Sequence, residues 1–185
     1  AGTLGLSSGA FFAYLGGGPY VGDQVFGMDP ATFGIYFGAP AVGYFIGNFI
    51  SGRYSIRFGV NRMVLIGSVV CAAGITVNLM LFAVDLGTPL SFFGLMSLMG
   101  LGNGLVIPNA TAGALSVRPH LAGTASGLSG ALMIGLGAGL SALAGFILTL
   151  GLGTLPLLAL MVVSAYAAIF TILYVIRRER ILGVS

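Results

Sequence analysis

The charges of this chain are sorted between alternate gaps of an otherwise apolar sequence. Six apolar runs, near residues 2–21, 32–52, 63–84, 90–115, 121–149 and 154–176, each supply about the 20 residues a helix needs to cross ~30 Å of hydrocarbon. The basic residues are all arginines: Arg53, Arg57, Arg62, Arg118, Arg177, Arg178 and Arg180 fall in every second gap or in the tail. Asp23, Asp29 and Asp85 occupy the gaps between. Basic loops stay cytoplasmic, so the pattern predicts an all-α membrane domain, residues 1–185, with six spans and both ends in the cytoplasm.

Composition forces the same solvent. Charged residues make up 6% of the chain, against the ~25–35% of a water-soluble surface, so the lipid bilayer is the expected partner. The net charge of +3 comes from short loops and the tail, where arginines set topology rather than bind nucleic acid. Cys71 is alone among Val and Ala, so neither a disulfide nor a cysteine-based metal centre can form within the chain, and no cofactor or metal is expected. The chain opens Ala-Gly-Thr without a Met, and a missing upstream part is the expectation.

Glycine and proline differentiate the spans. Asp29-Pro30, Thr88-Pro89 and Thr154-Leu155-Pro156 predict capped helix starts, as does Pro119 after Arg118. Pro19, Pro40 and Pro108 fall inside the first, second and fourth spans and predict kinks there, with Gly16-Gly17-Gly18 loosening the end of the first. The fifth span sets Gly123, Gly127, Ala131, Gly135 and Gly139 at a spacing of four, a smooth stripe for close helix contact. The second carries a shorter version, Gly43, Gly47 and Ser51. The third and sixth spans are bulky and predict lipid-facing supports. Each half thus runs kinked, small-faced, bulky, which predicts two inverted three-helix repeats.

These residues carry a family resemblance. Ala13-Tyr14-Leu15-Gly16-Gly17-Gly18-Pro19-Tyr20, Phe33-Gly34-Ile35-Tyr36-Phe37, and Ser51-Gly52-Arg53 through Arg57-Phe58-Gly59 resemble the C-terminal half of major facilitator superfamily transporters. Gly102-Asn103-Gly104, Pro108-Asn109-Ala110 and His120-Leu121-Ala122-Gly123-Thr124-Ala125-Ser126 are most similar to the Bcr/CflA drug-resistance group. The resemblance implies helices seven to twelve of a twelve-helix bacterial inner-membrane antiporter, exporting small amphipathic compounds against protons by alternating access. It implies that the first and fourth spans line a cavity and that the second and fifth meet an N-terminal six-helix half, with Gly43, Gly47, Gly123, Gly127, Gly135 and Gly139 at that interface. The family's basic loop motif lacks its aspartate, since Gly52 is followed by Ile56, Arg57 and Gly59. Arg53, Arg57 and Arg62 therefore read as topology anchors.

No Asp, Glu, Arg or His lies inside the six spans, so a coupling group would have to come from elsewhere. Candidate cavity residues are Ser7, Phe11 and Tyr14, which share a helix face, and Asn103. Each has a structural alternative: core packing for Tyr14, interhelical bonding for Asn103. Asn109 reads as repairing the helix at Pro108, and Tyr44, Asn48 and Asn78 as pairing helices. Two rival functions fare worse. Gly127-Leu128-Ser129-Gly130 matches an intramembrane serine protease, but the single His120 lies nine residues earlier, ~13 Å along one helix and out of reach of Ser129. Pro108-Asn109-Ala110 holds a water channel's residues in the wrong order. A structural membrane subunit is the remaining alternative.

Overall fold

A computed structural model describes residues 2–116 and 121–183. Arg118, Pro119 and His120, with the helix start expected at Pro119, lie outside the described residues. The chain runs α1 (Gly2–Tyr20), a π-helical turn (Val21–Val25), α2 (Pro30–Phe37), α3 (Ala39–Phe58), α4 (Val60–Ala83), α5 (Pro89–Ser116), α6 (Ala122–Thr149) and α7 (Leu155–Leu182). Among the described residues there is no strand. Five helical segments are long and apolar enough to span a membrane: α2 with α3, α4, α5, α6 and α7. The sixth expected span, α1, is rich in Gly and Ser. It tolerates that composition because Ala10, Ala13, Tyr14 and Val21, on and just after it, face other helices rather than lipid.

The helix starts follow the proline signals. Asp29 caps α2, its carboxylate accepting from the N–H groups of Ala31 and Thr32 at 3.1 Å each. Thr32's side chain, then its N–H, hold this exposed carboxyl below its ordinary pKa. The cap is therefore in place above the usual carboxylate range and weakens only as acid protonates it. Thr88 and Ser91 cap α5 reciprocally, at 2.9 and 3.1 Å. Thr154 makes no side-chain cap at α7.

Two expectations about the loops are corrected. The arginine-bearing gap at 53–62 shrinks to Gly59 (φ +83°), which is the single residue separating α3 from α4. Arg53 and Arg57 therefore ride the last turns of α3, with Arg57 5.8 Å from the Phe58 ring centroid, and Arg62 rides the first turn of α4. Nor does Gly16-Gly17-Gly18 loosen α1. A Cβ at Gly16 would meet the Ser141 backbone, one at Gly17 the Leu157 and Leu148 side chains, and one at Gly18 the Phe37 ring, so the triplet admits three neighbours to one turn. The irregularity comes later, in the π turn beyond Pro19. Pro40 has the expected effect, since the second span breaks at Gly38 into α2 and α3. α5 continues through Pro108.

Packing organises the bundle around α1 and α5. α5 packs mainly against α3 and α4, α1 against α6 and α7, and α4 also meets α7. Exchanging α1 with α5, α3 with α6 and α4 with α7 maps this contact pattern onto itself, as two three-helix repeats require.

The tightest seam joins α3 to α5. Added Cβ atoms at Gly43 and Gly47 would collide with the carbonyl oxygens of Ser97 and Leu101, and at Gly100 with that of Pro40; at Gly104 one would sit 2.6 Å from the Tyr44 carbonyl. Two glycine pairs, each four residues apart, thus interlock backbone to backbone. This overturns the expectation that Gly43 and Gly47 face another half of the protein: they are buried inside this one, and so is Ser51 beyond them. α4 is also more than a lipid-facing support, because Gly67 lies against Gly102 and Gly74 against Leu98, although Ile66, Val69, Val77 and Met80 on its outer face are exposed. In the apolar stretches of α2–α3 and of α6 only 17% of residues are buried, against 56% in α5, so these two carry the open faces.

The seam predicts a sharp contrast between glycines. Gly47→Leu should unfold or destabilise the protein by more than the ~1–3 kcal/mol typical of overpacking, because backbone cannot yield as a side chain can. Gly135→Leu, with no atom within 4 Å of where its Cβ would sit, should leave thermal unfolding in detergent unchanged.

Candidate functional site

Between α1, α3 and α5 lies a cavity of about 320 Å³, which Met133 of α6 also lines. Three of the four candidate residues line it: Phe11 and Tyr14 from α1 and Asn103 from α5. Ser7 does not. It is buried behind the wall, where its hydroxyl donates to Asn103 Oδ1 at 2.7 Å and ties α1 to α5. Its neighbour Ser8 faces the cavity instead. No charged side chain lines the cavity among the described residues.

Tyr14 answers both of its readings. It is fully buried and stacks on Phe37, with ring centroids 4.9 Å apart and planes 16° from parallel. Its hydroxyl donates to the Phe37 carbonyl at 2.9 Å. That carbonyl lost its helical partner at the break, because the Ala41 N–H turns to the Gly38 carbonyl at 2.9 Å. Tyr14 thus satisfies a backbone group that hydrocarbon would leave unpaired, and its ring still forms cavity wall. Pro40 and Ala41, next to the break, line the same space.

The amides divide as their surroundings dictate. Asn103 sits where Gly102 and Gly104 bring α4 and α3 against α5 on either side, which holds its backbone firmly. Asn109 donates to the Leu105 carbonyl at 2.8 Å and to Ser51 Oγ at 2.7 Å. The carbonyl that Pro108 deprives of its N–H is that of Gly104, so Asn109 bonds one residue away and serves chiefly to tie α5 to α3. Asn78 pairs helices as expected, donating to the Phe92 carbonyl at 3.0 Å. Asn48 does not: it bonds its own helix at the Tyr44 carbonyl, 2.9 Å away, while Tyr44 lines the cavity. Ser129 is buried, and His120 lies outside the described residues.

Sequence reasoning missed the aromatic cluster beyond the cavity. Tyr14, Phe37, Phe92 and Phe93 are joined through Phe33, Phe26 and Phe82, with neighbouring centroids 4.9–6.4 Å apart. The cluster plugs the bundle at the end that carries Asp23, Asp29 and Asp85. Phe92-Phe93 beside a capped helix start was the available signal. At the arginine end, Asn61 of α4 donates to Glu179 of α7.

The helical bundle holds a neutral cavity between its two central helices, and comparison with known proteins gives its family. The model of the Major Facilitator Superfamily matches residues 2–183, so the chain belongs to that family of transporters and is a multi-pass membrane protein. It is 30% identical over 166 residues to the uncharacterized MFS-type transporter YdgK of Bacillus subtilis (strain 168), covering 88% of this chain and 40% of that protein. It is 27% identical over 133 residues to a bicyclomycin resistance protein homolog of Haemophilus influenzae, covering 72% of this chain and 33% of that one. The chain therefore spans less than half the length of these relatives. No solved structure matches significantly.

Tyr14→Phe keeps the stacked ring and removes the bond to the Phe37 carbonyl. Leaving that carbonyl unpaired should cost about 1–3 kcal/mol, read as a lowered midpoint of thermal unfolding in lipid nanodiscs.

Proposed function

We propose that this chain forms one half of a proton-coupled antiporter of a bacterial inner membrane, exporting small amphipathic compounds by alternating access, with both ends of the segment cytoplasmic. The observation that carries the proposal is the neutral, aromatic cavity between α1 and α5, walled by Phe11, Tyr14 and Asn103 in a chain of this family. Its volume of about 320 Å³ suits a small ligand, and its apolar walls suit compounds that partition from the bilayer. The relative described as a bicyclomycin resistance protein homolog points the same way.

Two features support a missing partner bundle. Among the described residues, no other part of the chain comes within 4 Å of where a Cβ would stand at Gly123, Gly127, Gly135 and Gly139 on α6, so this stripe is open. On α3, with Gly43 and Gly47 turned inward, the open face is bulky instead: Val42, Phe45, Ile46 and Phe49 are exposed. In the proposal an N-terminal six-helix half packs on both faces and rocks against them. That half also supplies the coupling carboxylate, since the spans of this chain contain none. Arg53, Arg57 and Arg62 fix the topology.

In vesicles containing the full-length protein, an imposed pH gradient should drive export of a lipophilic dye. Gly135→Leu should cut that export at least about tenfold without lowering the unfolding temperature, because a bulky side chain jams the sliding face. Ser129→Ala should export at the wild-type rate. Undiminished export by Gly135→Leu would remove the rocking interface, and absence of any gradient-driven flux would remove the antiporter.

A further inference from the structure

The orientation of a single carboxamide determines what kind of polar group the cavity can recognise. Asn103 has one acceptor, Oδ1, and two donor hydrogens on Nδ2. Its Oδ1 accepts the Ser7 hydroxyl at 2.7 Å, and both residues are buried. Its Nδ2 has no partner among the described residues, although the residue lines the cavity and Nδ2 is not among the sealed-off atoms. The other nearby polar groups offer the cavity no free donor. The Tyr14 hydroxyl spends its hydrogen on the Phe37 carbonyl. Ser8, which also lines the cavity, has a buried Oγ with no partner among the described residues.

We infer that Ser7 is a positioning residue which holds the Asn103 carboxamide with its N–H groups toward the cavity, so that the site selects uncharged ligands carrying a hydrogen-bond acceptor, such as a ketone, amide or ether oxygen, beside a flat apolar body. This rests on the proposal that the cavity is the substrate site. The physical argument has three steps. An amide donor in a low-dielectric wall is costly to leave unmade, so a ligand that offers an oxygen gains what a hydrocarbon of the same shape cannot. With no charged side chain in the wall among the described residues, an ionic ligand would find no counter-charge there for its desolvation. And the stacked Tyr14 and Phe37 rings, with Phe11 beside them at 6.5 Å from Tyr14, favour a planar body near that oxygen.

The test compares two probes of one shape, 2-acetylnaphthalene and 2-isopropenylnaphthalene, in which a CH2 group replaces the ketone oxygen, binding to the full-length protein in lipid nanodiscs. The ketone should bind about tenfold more tightly, the equivalent of one good hydrogen bond, and its C=O stretching band should move to lower frequency on binding. Asn103→Leu should bring the two affinities together. Ser7→Ala releases the carboxamide and should lower the preference severalfold, while Ser7→Thr, which restores the hydroxyl, should recover it; a merely structural Ser7 would alter both affinities in parallel. Equal binding of the two probes by the wild type, with an unshifted carbonyl band, overturns the inference but leaves the cavity standing as a binding site. Failure of both probes to bind the wild type overturns the inference and the cavity reading together. The wild-type comparison decides the matter even where a variant fails to fold.

Discussion

Backbone contact between α3 and α5 sets the geometry on which the rest of the bundle depends. Lipid offers no hydrophobic gain for bringing two apolar helices together, so association has to come from close packing and polar bonds. Gly43 and Gly47 on one side, Gly100 and Gly104 on the other, remove the Cβ atoms that would hold the helices apart. The Ser51–Asn109 bond continues the seam toward the arginine end, and the Ser97 hydroxyl, donating to the Ala39 carbonyl at 3.1 Å, continues it the other way. Gly67 and Gly102 press α4 onto the same α5. Because its neighbours are drawn in so closely, α5 presents Asn103 from a tightly packed backbone.

The cavity follows from where this closeness stops. At Gly38 the second span breaks, α2 tilts its Phe33 and Phe37 into the aromatic cluster, and space opens between α1, α3 and α5. The break would be costly in hydrocarbon if the Phe37 carbonyl stayed unpaired; the Tyr14 hydroxyl from α1 meets it. One residue therefore repairs a helix, anchors a cluster and walls a cavity. Ser7 likewise combines two jobs, tying α1 to α5 and orienting the amide between them.

Much of this was legible before any coordinates. Helix starts at Asp29, Thr88 and Thr154 follow from proline chemistry, which is local, although Thr154 makes no cap bond. Phe11 and Tyr14 were candidates because helical spacing puts them on one face of α1, and Asn103 because Gly102 and Gly104 leave room around its amide; all three line the cavity. The errors concern partners. Gly43 and Gly47 look the same in sequence as Gly123 and Gly135, yet the first pair is buried against α5 and the second is open. The spacing of four between Gly100 and Gly104 was the overlooked clue, since one small stripe on α5 implies a matching stripe opposite. Ser7 and Ser8 are adjacent on α1, and spacing alone could not tell the wall residue from the one behind it.

Sequence by itself determined the solvent, the apolar segments, the proline-marked helix starts and the alternation of charge, because each depends on hydrophobicity, proline geometry or loop charge counted along a single segment. Tertiary structure alone decided which glycines are contacts and which are open surface, which of two adjacent serines lines the cavity, and where the carbonyl left by a helix break finds its donor. Those outcomes depend on which helix stands opposite, and a helix face carries no mark of its neighbour until two backbones, distant in the chain, come close enough for an absent Cβ to matter.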